Sequence, residues 1–325
     1  MSLDDHIDAF LDGRLVLESA RMELVQMVED DPIILRGPGR IHQDETGTLS
    51  FEMTASEVIN TDMIAWMNAG FRTQSGVVLG PERHYRLTFT DADGRPWRAE
   101  QIRPNGRWRY DADPVMSDEL RLLRTDDPPR LDERHGLRLL FLEKVDLPPW
   151  SGPVLDLPTT LGDLEIRKDD MRLDVRLAAQ TPLREDAALR IEEALRFLLA
   201  QDLSPRILIS ATPSVSLCEM RSPQSRMGKT ALSKPLSSRH SEYFYHGWEL
   251  FICYLDHVSA HGDRAFWHPI TYHLHNAAAA SGNSIDGWAI GVSVAVEGLA
   301  NLVEIPTDPA DRATIKRLRS WIAAE

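Results

Sequence analysis

The residues best equipped for chemistry gather between positions 240 and 306, which hold His240, His246, His257, His261, His268, His273 and His275. His257 and His261 stand four apart beside Asp256, so a helix would put both imidazoles on one side. Such a pair holds zinc if a third ligand arrives from elsewhere, and His268, His273 or His275 would have to supply it. His273 and His275, two apart, point to different sides of a helix, and no His-Glu-x-x-His signature accompanies them. No metal centre is therefore expected, and these histidines are read as helix caps or hydrogen-bonding groups. A second polar set, Asp286, Ser293, Glu297 and Glu304, forms a stripe on an otherwise apolar helix. Facing solvent it is inert. Covered by another subunit or domain, Glu297 becomes an acid–base or hydrogen-bonding group.

Other motifs fall away on inspection. Gly228-Lys229-Thr230 has the form of the end of a phosphate-binding loop, but Pro223 stands where the first glycine belongs and cannot donate a backbone N–H. Asp91, Asp93 and Gly94 echo part of a calcium loop that lacks its terminal acidic ligand, and no calcium is expected. There is no Gly-x-Ser-x-Gly elbow, and the scattered carboxylates single out no glycosidase pair.

Charge narrows the function classes. The net charge of −14 argues against a protein that coats DNA through phosphate neutralisation. The balance is uneven, since Arg206, Arg221, Arg226, Lys229, Lys234 and Arg239 face one acid, Glu219, between positions 206 and 239. That excess either draws a polyanion such as RNA or is spent on acidic neighbours within the fold. No run reaches the ~18 apolar residues of a membrane helix, and the acidic start has no signal-peptide character. Two cysteines, Cys218 and Cys253, give no disulfide framework, so a cytoplasmic setting is expected, with no cofactor.

These groups must be positioned by two kinds of texture. Up to about residue 180 the chain reads as short alternating strands without helical crossovers, hence antiparallel. Leu49-Ser50-Phe51-Glu52-Met53 alternates, residues 171–177 alternate, and Asp93-Gly94 joins residues 85–90 to 96–99 as a hairpin. Gly37-Pro38-Gly39 reads as the end of a strand, and residues 15–27 fit strand or helix. Thr181-Pro182 is expected to open a helix that buries Ala188, Ile191, Leu195 and Leu198, followed by strands near 206–211 and 215–220. Phe244, Trp248, Phe251, Leu255 and Val258 mark one buried helical face, and Ile285, Ala289, Val292, Val296, Leu299 and Val303 another, between Ser284 and Pro306. Opposite the polar stripe of Asp286, Ser293, Glu297 and Glu304, the small residues Gly287, Gly291, Ala295 and Gly298 invite close approach of a helix, within the chain or from a second copy. The segment 222–238 has little to bury and is expected to be an exposed boundary.

The order of segments carries a resemblance. A β-rich half with Gly37-Pro38-Gly39-Arg40-Ile41 and Gly47-Thr48-Leu49-Ser50-Phe51 precedes the helix of residues 193–201. Trp248-x-x-Phe251-x-x-Tyr254-Leu255 and residues 292–299 follow. This resembles bacterial proteins that join a β-rich N-terminal domain to a HEPN-like helical domain, as in the ApeA-type abortive-infection family. The resemblance implies an antiviral defence role, dimerisation through the helical domain, and a metal-independent ribonuclease built on an Arg and a His with four to six residues between them. Arg239 with His246 fits that spacing, as does Arg130 with His135. No histidine follows Glu297, where the family places its pair, so a truncated, degenerate or non-catalytic member is equally expected.

The resulting expectation is an α+β protein. A mostly antiparallel, β-sandwich-like domain spans residues 1–230, and an α-helical domain spans 231–325. Arg239, His246 and Glu297 are the catalytic candidates, and Arg206, Arg221, Arg226, Lys229 and Lys234 the RNA-binding ones. The rival is a non-enzymatic interaction module whose β half recognises a ligand or protein while the helices dimerise.

Overall fold

The computed structural model describes residues 2–61, 80–107, 113–127, 136–179, 181–211, 216–223, 234–236, 241–261, 266–280 and 284–302. Fifteen strands join one antiparallel sheet: β1 (Val16–Gln26), β2 (Ile34–Gln43), β3 (Leu49–Thr54), β4 (Glu57–Ile59), β5 (Tyr85–Thr90), β6 (Pro96–Ile102), β7 (Asn105–Arg107), β8 (Val115–Leu120), β9 (Leu122–Thr125), β10 (Leu137–Phe141), β11 (Leu155–Thr159), β12 (Gly162–Lys168), β13 (Leu173–Ala178), β14 (Ile207–Ala211) and β15 (Ser216–Arg221). The helices are α1 (Leu3–Leu11), α2 (Ala187–Leu199), α3 (Ser241–His261), α4 (Pro269–Ala280) and α5 (Ile285–Leu302). None of them is long and apolar enough to cross a membrane. Two compact units emerge, one of Met1–Glu192 with Leu203–Arg226, the other of Glu193–Asp202 with Met227–Glu325.

The strands of the β-rich unit are hydrogen-bonded into one continuous sheet. Its pairings close a ring, β5–β1–β2–β3–β8/β9–β6–β5, because β8 and β9 are one strand bent at Arg121. Likewise β6 and β7 form one strand. Arg98 opposes Arg124 and Asn105 opposes Ser117, so seven residues on in one strand is seven back in the other. On its far edge the β8/β9 strand pairs first with β3 and then, past the bend, with β15. From there the sheet continues as β14, β10, β13, β12 and β11. Bulges let the one sheet curl, and the bend at Arg121 lets it fork.

The bulges are legible in the burial pattern. Leu17 and Ser19 point inward from β1, and so do Met22 and Leu24, so the inward parity flips where the register shifts between Ser19 and Met22. The Ser19 hydroxyl accepts the N–H of Arg21 and donates to its carbonyl, satisfying the bulged residue. Opposite lies Gly37-Pro38-Gly39, inside β2 and not at its end. A Cβ on Gly37 would sit 1.8 Å from the Thr54 carbonyl oxygen, and one on Gly39 would sit 2.5 Å from that of Glu52. The glycines let β2 hug β3, and Pro38 stands where the bulge leaves no ladder bond to donate. In β6, Gln101 takes φ +58 at the matching irregularity. Leu24, Leu35, Ile41, Phe51, Leu87 and Met116 fill the interior, joined by Leu3, Ile7 and Phe10 of α1.

Two sequence expectations for helices shift. The helix after residue 180 begins at Ala187, not Thr181, because the buried Asp186 takes the cap position, its carboxylate held by Arg184 and Arg190. In α3 the inward residues are Tyr243, Gly247, Phe251, Tyr254, Leu255 and Val258, while Phe244 is exposed.

Candidate functional site

The sequence-derived site residues do not converge. Arg239, Arg226 and Lys229 lie outside the described residues, as do Arg130 and His135. His246 is exposed on α3, with Nδ1 2.9 Å from Glu249 Oε2. Glu297 is exposed on α5, and no hydrogen bond or ion pair joins it to His246 among the described residues. The basic residues that are described serve the fold. Arg206 donates to the carbonyls of Arg221 (2.6 Å) and Gly47 (2.8 Å) and covers the Phe10 ring at 5.1 Å. Burial pushes its guanidinium below the ordinary value. Arg221 pairs with Glu219 at 2.7 Å, and Lys234 lies 4.6 Å over the Tyr243 ring. Arg206, Arg221 and Lys234 thus make internal contacts and form no exposed basic strip.

The histidines of the helical unit behave as packing and capping groups. His268 receives a hydrogen bond from the Ile270 N–H on Nδ1 and gives its own backbone N–H to the fully buried Glu193 (2.5 Å) at the start of α4. His257 packs edge-on to His268 at 5.0 Å. Arg196 lies 4.6 Å over Trp267 and 2.6 Å from Asp202, and His275 packs on the same indole at 4.8 Å. Burial lowers the His275 pKa. Phe197 stacks on Tyr254 at 4.0 Å, and the Tyr254 hydroxyl meets Thr271 at 2.9 Å. The side chain of His261 lies outside the described residues. The sequence reading named only Ala188, Ile191, Leu195 and Leu198 on the buried face of this helix, and nothing in the types or spacing of Glu193 and Arg196 announces these partners.

Among the described residues, one group has metal-ligand composition: His6, Asp91 and Asp93, whose potential ligand atoms lie within 4.8 Å of one another. The Asp91 carboxylate and His6 Nδ1 are already engaged. Asp91 Oδ1 accepts the N–H groups of Asp93 and Arg95, and Oδ2 accepts Trp97 Nε1 at 2.8 Å. Arg95 Nη1 lies 3.1 Å from His6 Nδ1, so a guanidinium already supplies the cation. The set braces the β5–β6 hairpin, whose turn has Gly94 at φ +85 as the Asp-Gly pair requires.

The surface that stands out belongs to the helical unit. Of twelve large hydrophobic residues exposed among those described, ten lie there and only Val16 and Met171 elsewhere. Six are on α5, where Ile285 is 82% exposed, Ile290 65%, Val296 59% and Val294 58%, joined by Trp288 and Leu302. Of the expected buried face of α5, Ile285, Ala289 and Val296 are exposed, Val292 and Leu299 are half-buried, and Val303 lies outside the described residues. The small-residue face is the one that packs, against α4. A Cβ on Gly291 would lie 2.3 Å from that of Ala280, and one on Gly298 2.1 Å from the His273 ring. Glycine brings the two backbones together, and the bulkier stripe is left outward. The available signal was composition, since in eighteen residues α5 has only Asp286 and Glu297 as charges. A helix apolar on all sides is normally covered on all sides.

The β-rich unit adds a cleft of about 910 Å³ lined by residues of β1, β2 and β3 and by Thr90, Asp91 and Ala92. Ser19, Ala20, Pro38 and Gly39 are among its small residues, and Glu18, Arg21 and the ion pair Arg40–Glu52 (2.9 Å) among its charged ones. Comparison with protein-family models, curated proteins and solved structures gave no match.

Proposed function

We propose that this protein is an interaction module that self-associates through α5, with the β-rich unit as its recognition part. The observation behind this reading is the apolar surface of α5, exposed on every side but that toward α4. An exposed apolar patch with few charges marks a surface that another protein covers. A second copy offers the same patch, and closed two-fold association needs only one self-complementary surface. The cleft across β1, β2 and β3 is the place for a ligand or partner segment. The resemblance to ApeA-type abortive-infection proteins with a HEPN-like domain supports a defence setting for such a dimer.

Sedimentation of the full chain across a concentration series tests the reading. Wild type is expected to dimerise, and Ile290→Glu with Val294→Glu to be monomeric with unchanged far-UV circular dichroism. A monomer at every concentration would overturn self-association. Ribonuclease activity is the second reading, favoured by the His246–Glu249 contact, which orients an exposed imidazole as a general base requires. Labelled single-stranded RNA, with and without chelator, decides it. Cleavage abolished by His246→Ala would replace the interaction reading, with Arg239 as the cation to examine next.

A further inference from the structure

His6 sits in the middle of α1, is only 2% exposed, and packs edge-on to Trp97 with ring centroids 6.0 Å apart. Its Nδ1 faces Arg95 Nη1 at 3.1 Å. A guanidinium nitrogen in a protein is always a donor. The imidazole nitrogen must therefore accept, which makes His6 neutral and places its proton on Nε2. A proton added at Nδ1 would turn this hydrogen bond into two donors facing each other between two cations.

We propose that His6 and Arg95 form an acid-sensitive latch, and that protonation of His6 releases α1 from the interior of the β ring.

The surroundings leave the added charge poorly served. Asp91, the nearest acid of the hairpin, is committed to Trp97 and to the N–H groups of Asp93 and Arg95. Arg95 also draws on Asp91 at 4.0 Å and Asp127 at 3.4 Å, so a charged His6 would compete with it for the same carboxylates. Asp93 is exposed and adds a weaker attraction. On α1 itself, the Asp5 carboxylate is turned to the backbone N–H of Ser2 at 2.6 Å. Burial lowers the His6 pKa from its ordinary 6.5; Asp91 and Asp93 oppose the shift, while Arg95 and the amino terminus add to it. A folded-state value below the unfolded one means that the latch is fully closed above about 6.5 and opens as pH falls through the lower value. Leu3, Ile7 and Phe10 leave the core with α1, so opening uncovers the ring interior. The contacts remaining on α1, Arg206 over Phe10 and Arg172 with Asp12 at 3.4 Å, do not change charge in that range.

Hydrogen exchange of the full chain, compared at about pH 7.5 and about pH 5, reads the latch through the protection of the α1 amides. Wild-type protection is expected to fall by up to about tenfold per pH unit once His6 titrates, as one proton requires. His6→Asn keeps an acceptor near the Nδ1 position without a titrating group, so its α1 protection should not change with pH. Arg95→Gln removes the facing cation without altering α1 and should flatten the wild-type fall. Unchanged wild-type protection, or an equal fall in His6→Asn, would overturn the proposal. Should His6→Asn fail to fold, a steep fall undiminished in Arg95→Gln would overturn it as well.

Discussion

The hydroxyl of Ser222 accepts the backbone N–H of Leu49 at 2.8 Å, across 173 positions of sequence. The same hydroxyl donates to the Leu120 carbonyl at 2.5 Å, and the Ser222 N–H donates to Arg121 at 3.1 Å. These bonds meet where the β8/β9 strand leaves β3 and takes up β15. One residue thus closes the fork between the ring and the rest of the sheet. Ser222→Ala leaves the N–H of the buried Leu49 without its acceptor. Urea denaturation should show a loss of about 1–3 kcal/mol.

Gly291 should tolerate nothing larger. Leucine there must displace Ala280, whose Cβ is fixed to the α4 backbone, and overpacking of this kind costs typically ~1–3 kcal/mol. The melting temperature of Gly291→Leu is expected to fall while sedimentation stays that of wild type, because this face of α5 serves α4. A changed association state without a changed melting temperature would reverse the roles of the two faces.

Asp186 and Arg190 are paired at 3.0 Å with both side chains fully buried. Burial by itself would raise the Asp186 carboxyl, but hydrogen bonds and charge from Arg184 and Arg190 hold it below its ordinary 3.8. A depressed carboxyl contributes stability that is complete above that value and is lost as pH falls through the folded one. Arg190→Leu should therefore cost about 3–5 kcal/mol near neutrality, with Arg184 keeping it toward the lower figure. Denaturation at about pH 7 and about pH 3 should show the gap to wild type closing in acid.

The two thiols should separate cleanly by reagent. Cys218 is buried in the core, and burial pushes its thiol up to about 12, whereas Cys253 is exposed on α3. Iodoacetamide at about pH 8 should label Cys253 in the native chain and reach Cys218 only on unfolding, as intact mass would show.

Much of the β-rich unit was legible because its strands obey a two-residue period. Leu49, Phe51 and Met53 all face inward, and the Asp-Gly hairpin lies where its turn chemistry demanded. Gly37-Pro38-Gly39 was misleading since turn residues and bulge residues are the same types. Only the carbonyls of Glu52 and Thr54 reveal why glycine is needed inside that strand. In α5 the period was correct and the expected face only partly covered, with Ile285, Ala289 and Val296 exposed, for periodicity marks which residues share a side but not which side a neighbour takes. Of the two readings of the basic excess, Arg206 and Arg221 follow the internal one: Glu219, two residues from Arg221 in the same strand, was visible in the sequence, whereas the Gly47 carbonyl that Arg206 reaches, 159 positions away, was not.

The bent β8/β9 strand has a consequence for how the chain is made. Every strand of the ring has been synthesised once residue 125 has emerged, so the ring can close early from hairpins and near neighbours. The outer edge of β9, however, waits for β15, which is made only after β10 to β14. Through that interval a nascent chain carries a row of unpaired amide and carbonyl groups next to a finished hydrophobic interior, the arrangement that invites pairing with a neighbouring chain. Ribosome-bound fragments ending between β9 and β15 are thus the species most exposed to aggregation, and the most dependent on chaperones, in the life of this protein.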